Sequence, residues 1–168
     1  IPLRLVGSEM CIRDRACSHS DHLDGWREQR QDGGCVIDLR SNQVICQGLS
    51  MPHSPRYYQG KLWLLNSGQG DLGWVDLASG QFQPLAFCPG YLRGLAFWKQ
   101  YALVGLSRPR RDDQTFSGLA LDERLAVQQM HSYCGILVIH LGSGKLVHWL
   151  RLEGVVSELY DLSLIHIS

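Results

Sequence analysis

Trp74-Val-Asp-Leu-Ala-Ser-Gly-Gln-Phe82 decides the fold, because its pattern occurs three times in the chain. Val36-Ile-Asp-Leu-Arg-Ser-Asn-Gln-Val44 precedes it and Val138-Ile-His-Leu-Gly-Ser-Gly-Lys-Leu146 follows it. In each copy, β-branched or bulky apolar residues lead into x-Ser-Asn/Gly-x, and apolar residues resume beyond. Asn42, Gly80 and Gly144 fall at the same turn position. Asn and Gly tolerate the left-handed backbone that a tight hairpin requires. Each copy is therefore predicted to be a β-hairpin.

Working outward, Pro55-Arg-Tyr-Tyr-Gln-Gly-Lys-Leu-Trp-Leu-Leu65 and Gly94-Leu-Ala-Phe-Trp-Lys-Gln-Tyr-Ala-Leu-Val104 match each other between the hairpins. Each reads as a strand, a short turn and a second strand. Leu62–Leu65 and Ala102–Val104 are continuously apolar, as strands covered on both faces are. One unit is thus an inner strand, a buried strand and an outer hairpin, which is the order of a propeller blade. Ser41 and Ser79 lie 38 residues apart, close to the ~40–45 residues of a four-stranded blade. Ser79 and Ser143 lie 64 apart, one blade plus an insertion at 108–132, which opens with Arg108-Pro-Arg-Arg-Asp-Asp113 and holds one helical candidate, Leu121 to Met130. The fold class expected is all-β: a partial β-propeller of four-stranded antiparallel blades, about three and a half of them at ~40 residues each. A β-sandwich with similar hairpins is the alternative.

Composition bounds the function classes. The 168 residues carry Lys+Arg 16 against Asp+Glu 16. Nucleic-acid-binding surfaces show a basic excess, so no nucleic-acid partner is expected. No run approaches the ~18 apolar residues of a membrane helix, so no membrane partner is expected either. The cysteines hold no C-x-x-C pair, which argues against a zinc knuckle or redox dithiol. Buried thiols in a reducing compartment are expected, and with no signal peptide in the sequence the expected location is cytoplasmic. Cys35 and Cys46 lie across one predicted hairpin.

The two ends read differently from the middle. Leu162–Ser168 can be encoded by a DNA segment whose complementary strand encodes Glu9-Met-Cys-Ile-Arg-Asp14. Both ends look like translated transposase-adapter sequence, so 1–15 and 162–168 are expected to be artefact and 16–161 the protein, itself an internal piece of a longer one. Trimming to 16–161 leaves 13 basic and 14 acidic residues, so the neutral balance stands.

Five stretches carry a resemblance: Ser50-Met-Pro-His-Ser-Pro-Arg56, Leu64-Leu-Asn-Ser-Gly68, Ala86-Phe-Cys-Pro-Gly-Tyr-Leu-Arg-Gly-Leu-Ala-Phe97, Thr115-Phe-Ser-Gly-Leu119 and His148-Trp-Leu-Arg-Leu-Glu-Gly-Val-Val156. Over nearly all of 17–161 the chain resembles a bacterial family of conserved hypothetical proteins, a domain of unknown function sometimes found with tetratricopeptide repeats. The resemblance implies a longer protein with a propeller-like fold. It carries over no catalytic residue.

In a propeller the innermost strands line a central channel, and ligands approach its mouth. The segments leading into those strands supply the candidate ligand-binding residues His53, Ser54, Arg56, Tyr91, Arg93, Glu158 and Asp161. Placing the blades in register aligns Ser54, Arg93 and Glu158. Convergent polar groups at a channel mouth are the mark of a pocket, for an unknown small molecule or protein. A structural Arg93–Glu158 ion pair is the plainer reading. Tyr57, Tyr58 and Tyr91 could stack on a sugar or base, or simply pack between blades. His19, Asp21, His22 and Asp24 have a donor set suited to a divalent metal, although a solvated polar loop is the plainer reading. No other cofactor is expected. Neither a G-x-S-x-G elbow nor a P-loop is present, so a binding function leads. The rival is a metal-dependent hydrolase of propeller type, with Glu158 and either Asn66 or Asp161 holding an ion.

Overall fold

The computed structural model describes residues 17–18, 28–38, 41–108 and 118–165. The fold is all-β and built from three open antiparallel sheets. β1 (Cys17–Ser18), β2 (Gly34–Asp38) and β3 (Gln43–Leu49) form the first. β4 (Pro52–Tyr58), β5 (Lys61–Asn66), β6 (Asp71–Asp76) and β7 (Gln81–Phe87) form the second, in sequence order. β8 (Tyr91–Trp98), β9 (Tyr101–Ser107), β10 (Cys134–His140) and β11 (Leu146–Leu152) form the third, likewise in order. Like strands of neighbouring sheets face one another, β4 against β8 and β3 against β7. None of the sheets closes on itself, and the layering is that of a partial propeller-like or sandwich fold.

The repeated motif forms the turns its residues predict. Asn42, Gly80 and Gly144 all have positive φ, at 54°, 69° and 66°. In each turn the residue three before Ser binds its hydroxyl: Asp38–Ser41 at 2.9 Å, Asp76–Ser79 at 2.6 Å and His140–Ser143 at 3.0 Å. The Ser79 hydroxyl and the Ala78 N–H hold the Asp76 carboxyl below the usual carboxylate range.

The continuous apolar runs follow from having a sheet on either side. Leu62 and Leu64 of β5 point to one face and pack with Val36, Cys46, Leu49 and Val75. Trp63 and Leu65 point to the other and pack with Leu92, Leu95, Val104 and Ile139. Side chains alternate across a strand, so a strand between two neighbours must be apolar at every position. Each such buried side chain contributes roughly 1.5–3 kcal/mol.

Division by a ~40-residue repeat counts more blades than the described strands fill. The β9–β10 connection carries a helix, α1 (Ala120–Val127), in place of strands, and 153–165 follows β11 without strand pairing. Cys35, Cys46, Cys88 and Cys134 are buried free thiols. Burial, with Asp71 nearby, pushes the Cys88 thiol up to about 12, so it stays protonated and unreactive. No helix among the described residues is long and apolar enough to cross a membrane.

Candidate functional site at the inner strand ends

The inner strands β4 and β8 each begin with an irregularity that aims their first side chains. The β4–β5 register shifts between His53 and Arg56, and the β8–β9 register between Leu92 and Leu95. Ser54 (φ 52°) and Gly94 (φ 78°) sit at these bulges, and Gln59 (φ 47°) and Lys99 (φ 52°) at the hairpin turns that follow. Both pairs are separated by the same 40 positions, which fixes the true alignment of the two strands. His53 corresponds to Arg93, and Ser54 to Gly94.

Serine hydroxyls stitch each inner strand to the previous sheet. The Leu92 N–H donates to Ser67 Oγ at 2.9 Å, and the Gly94 N–H to Ser54 Oγ at 3.1 Å. The Leu159 N–H donates to Ser107 Oγ at 2.8 Å, repeating the Ser67 bond one sheet later. Segment 157–162 thus lies along the third sheet as β8 lies along the second. This corrects the alignment expected from sequence: Leu159 matches Leu92, so Glu158 falls with Tyr91, and Ser54 does not share its level with Arg93 or Glu158.

Four of the expected residues still meet. His53, Tyr91, Arg93 and Glu158 line one cleft. Met51, Ser67, Ser107 and Arg108 complete its wall. Its volume is about 20 Å³, room for one water and not for a sugar ring. The Arg93 guanidinium lies 5.2 Å from the Tyr160 ring. The other three expected residues are placed elsewhere. Ser54 is buried with its hydroxyl bonded to β8. Arg56 and Asp161 form an ion pair at 3.2 Å outside the cleft wall, tying β4 to the tail segment. Tyr58 stacks on Phe97 at 4.5 Å and donates to the Lys99 carbonyl, which is packing between sheets, whereas Tyr57 is exposed.

Helix α1 closes one side of this region. Leu119, Leu121 and Leu125 pack with Met51, Tyr91 and Phe87. The Tyr91 hydroxyl donates to Asp122 Oδ1 at 2.9 Å, so one aromatic both lines the cleft and holds the helix. Arg124 donates to Asp71 Oδ2 at 2.8 Å and to the Gln69 carbonyl at 2.6 Å. Burial raises the Asp71 pKa, and Arg124 opposes the shift. Sequence reading missed Ser67, Ser107 and the helix contact. Ser67 and Ser107 had a signal, since each closes the second strand of a matching stretch. Nothing local marks Met51 or Arg108.

Two of the three residues named for the metal-dependent rival are engaged elsewhere. Asn66 spends both ends of its amide structurally, Oδ1 accepting the Ser50 N–H at 2.7 Å and Nδ2 donating to Gln69 Oε1 at 3.0 Å. Asp161 is held by Arg56 outside the cleft wall, whereas Glu158 lines the cleft. Among the described residues no three His, Cys, Asp or Glu stand close enough to hold a metal. The cluster His19, Asp21, His22 and Asp24 lies outside the described residues.

The family model of a domain of unknown function, DUF4915, matches residues 13–167. A comparison with the curated proteins found no match. Among solved structures, the chain is similar to the computationally designed Ika8 protein, at a TM-score of 0.47 and 17% identity. That similarity covers 79% of this chain and 34% of the designed one, so the chain spans about a third of that protein's length.

Proposed function

The chain belongs to the DUF4915 family, a domain of unknown function, and from that premise and the cleft geometry we propose that it is a binding module of β-propeller type. Its site is the mouth of the channel between the inner strands. One observation carries this reading: His53 of β4, Tyr91 and Arg93 of β8 and Glu158 of the tail segment come from three successive inner segments and line one cleft. The cleft admits a single small polar group, so the ligand is a small molecule, or a protein side chain, that inserts one such group among an imidazole, a phenol, a guanidinium and a carboxylate. Buried free thiols support a reducing, cytoplasmic setting.

The test is thermal unfolding of the whole chain against a panel of amino acids, dipeptides, monosaccharides and nucleoside monophosphates. A compound at a hundred times its Kd stabilises by about 2.7 kcal/mol. The expected result is a shift that Arg93→Ala and His53→Ala each abolish. A panel without any shift, or a shift that both variants retain, overturns the reading.

A further inference from the structure

The wall of the cleft carries more positive charge than its own carboxylate balances. Arg93, Arg108 and His53 line it beside Glu158. Two carboxylates next to the wall are engaged: Asp161 pairs with Arg56 at 3.2 Å, and Asp122 of α1 accepts the Tyr91 hydroxyl at 2.9 Å. Glu158 offsets one guanidinium. The second, together with the imidazole, leaves the lining with a positive surplus.

Hydrogen-bond donors are in surplus as well. Two guanidiniums bring about ten N–H groups and no acceptor, whereas one carboxylate offers about four lone-pair sites. Arg108 spends a donor on the Gly154 carbonyl at 3.3 Å. Arg93 lies 5.2 Å from the Tyr160 ring, an electrostatic attraction that supplies no lone pair to its N–H groups. The Ser67 and Ser107 hydroxyl oxygens already accept the Leu92 and Leu159 N–H groups. The Tyr91 proton goes to Asp122. The group that complements such a wall is an anionic acceptor.

Size selects among anions. The volume of about 20 Å³ takes one oxygen-sized group. A carboxylate is planar, so one oxygen enters while the other stays at the mouth, where Arg108 is exposed. A phosphate spreads its oxygens around a tetrahedral centre and needs more room. Guanidinium groups also match the planar, two-oxygen geometry of a carboxylate. On the reading that the cleft is a binding site, we infer that it takes the carboxylate group of a small organic acid, held between Arg93 in the wall and Arg108 at the mouth.

The test is isothermal titration of the full chain, at fixed ionic strength, with acids and their neutral amides. The probes are propionate against propionamide, N-acetylalanine against its amide, and glycylalanine against its amide, with inorganic phosphate as the control anion. In at least one pair the acid is expected to bind ~10-fold or more tightly than the amide, as a hydrogen bond to a charged group allows. Arg108→Gln is expected to remove most of that preference. Arg108 is exposed, so the variant is expected to melt with the parent. Amides that bind as well as their acids, phosphate that binds more tightly than every acid, or an acid preference that survives Arg108→Gln each overturn the inference and leave the binding reading standing. If none of these probes binds, the inference falls, and the binding reading falls with it only when the unfolding panel is silent too.

Discussion

Two glycines with the same backbone conformation separate local strain from close packing. Gly60 and Gly94 both have φ of 78°. A Cβ at Gly60 would meet nothing within 4 Å, whereas at Gly94 it would lie 2.6 Å from the Leu162 nitrogen and 2.7 Å from the Asp161 carbonyl carbon. Gly60→Ala is expected to cost only the left-handed penalty, ~1–2 kcal/mol. Gly94→Ala adds overpacking, for a further ~1–3 kcal/mol, and loosens the Arg56–Asp161 pair on the displaced segment. Equilibrium urea unfolding measures both. Equal costs would show that segment 161–162 does not press on β8, and the third inner segment would lose its place at the cleft.

At the scale of the element, α1 shows packing overriding local preference. Its N-cap position is Leu119, which makes no side-chain cap bond. A polar cap there is worth about 1 kcal/mol, but Leu119 is buried among Met51, Tyr91 and Leu125, and burying a leucine is worth more. Asp71 and Arg124 complete the docking. The folded pKa of Asp71 is raised, chiefly by burial, so the folded state binds this proton more tightly than the unfolded one. The contribution of Asp71 to stability is therefore fully present below its unfolded pKa and is lost as pH rises through the folded pKa. Asp71→Asn does not titrate. Relative to the parent it is expected to be most stable at pH 7 and to lose that standing toward pH 4, as followed by denaturant unfolding at each pH. A difference that moves the other way would mean that Arg124, and not burial, governs this carboxyl. The helix was visible in the sequence only as one candidate over Leu121–Met130, and its partners lie about 30 to 70 residues away, beyond the reach of any local pattern. The hairpins were legible because Asn42, Gly80 and Gly144 each fix a turn by their own backbone preference. The cleft was half legible. The residue types that converge could be read from the segments entering the inner strands, but their level could not, since the bulges at Ser54 and Gly94 shift the register and become visible only once pairing is known.

For the whole molecule, charge and the exposed apolar side chains of β11 act together. Sixteen basic and sixteen acidic side chains cancel, and the isoelectric point is near 7.2. At that pH the exposed Leu146, Val147, Trp149 and Leu150 of β11 meet no net repulsion between molecules, and proteins without net charge associate most readily. The two sides of the minimum are not symmetric. Histidine is the side chain whose charge changes between about pH 5 and 8, and the chain has seven, so acidification adds positive charge quickly. On the alkaline side the ready candidates are thiols, and burial raises the pKa values of Cys46, Cys88 and Cys134. Little negative charge is then gained until well above neutrality. Solubility, measured by polyethylene glycol precipitation from pH 5 to 9, is expected to be lowest near pH 7 and to recover more steeply toward acid than toward alkali. Val147→Glu, which adds one charge to that exposed strand, is expected to raise the minimum and move it to lower pH. A solubility profile flat across neutrality would mean that these β11 side chains are covered before net charge has any effect on association.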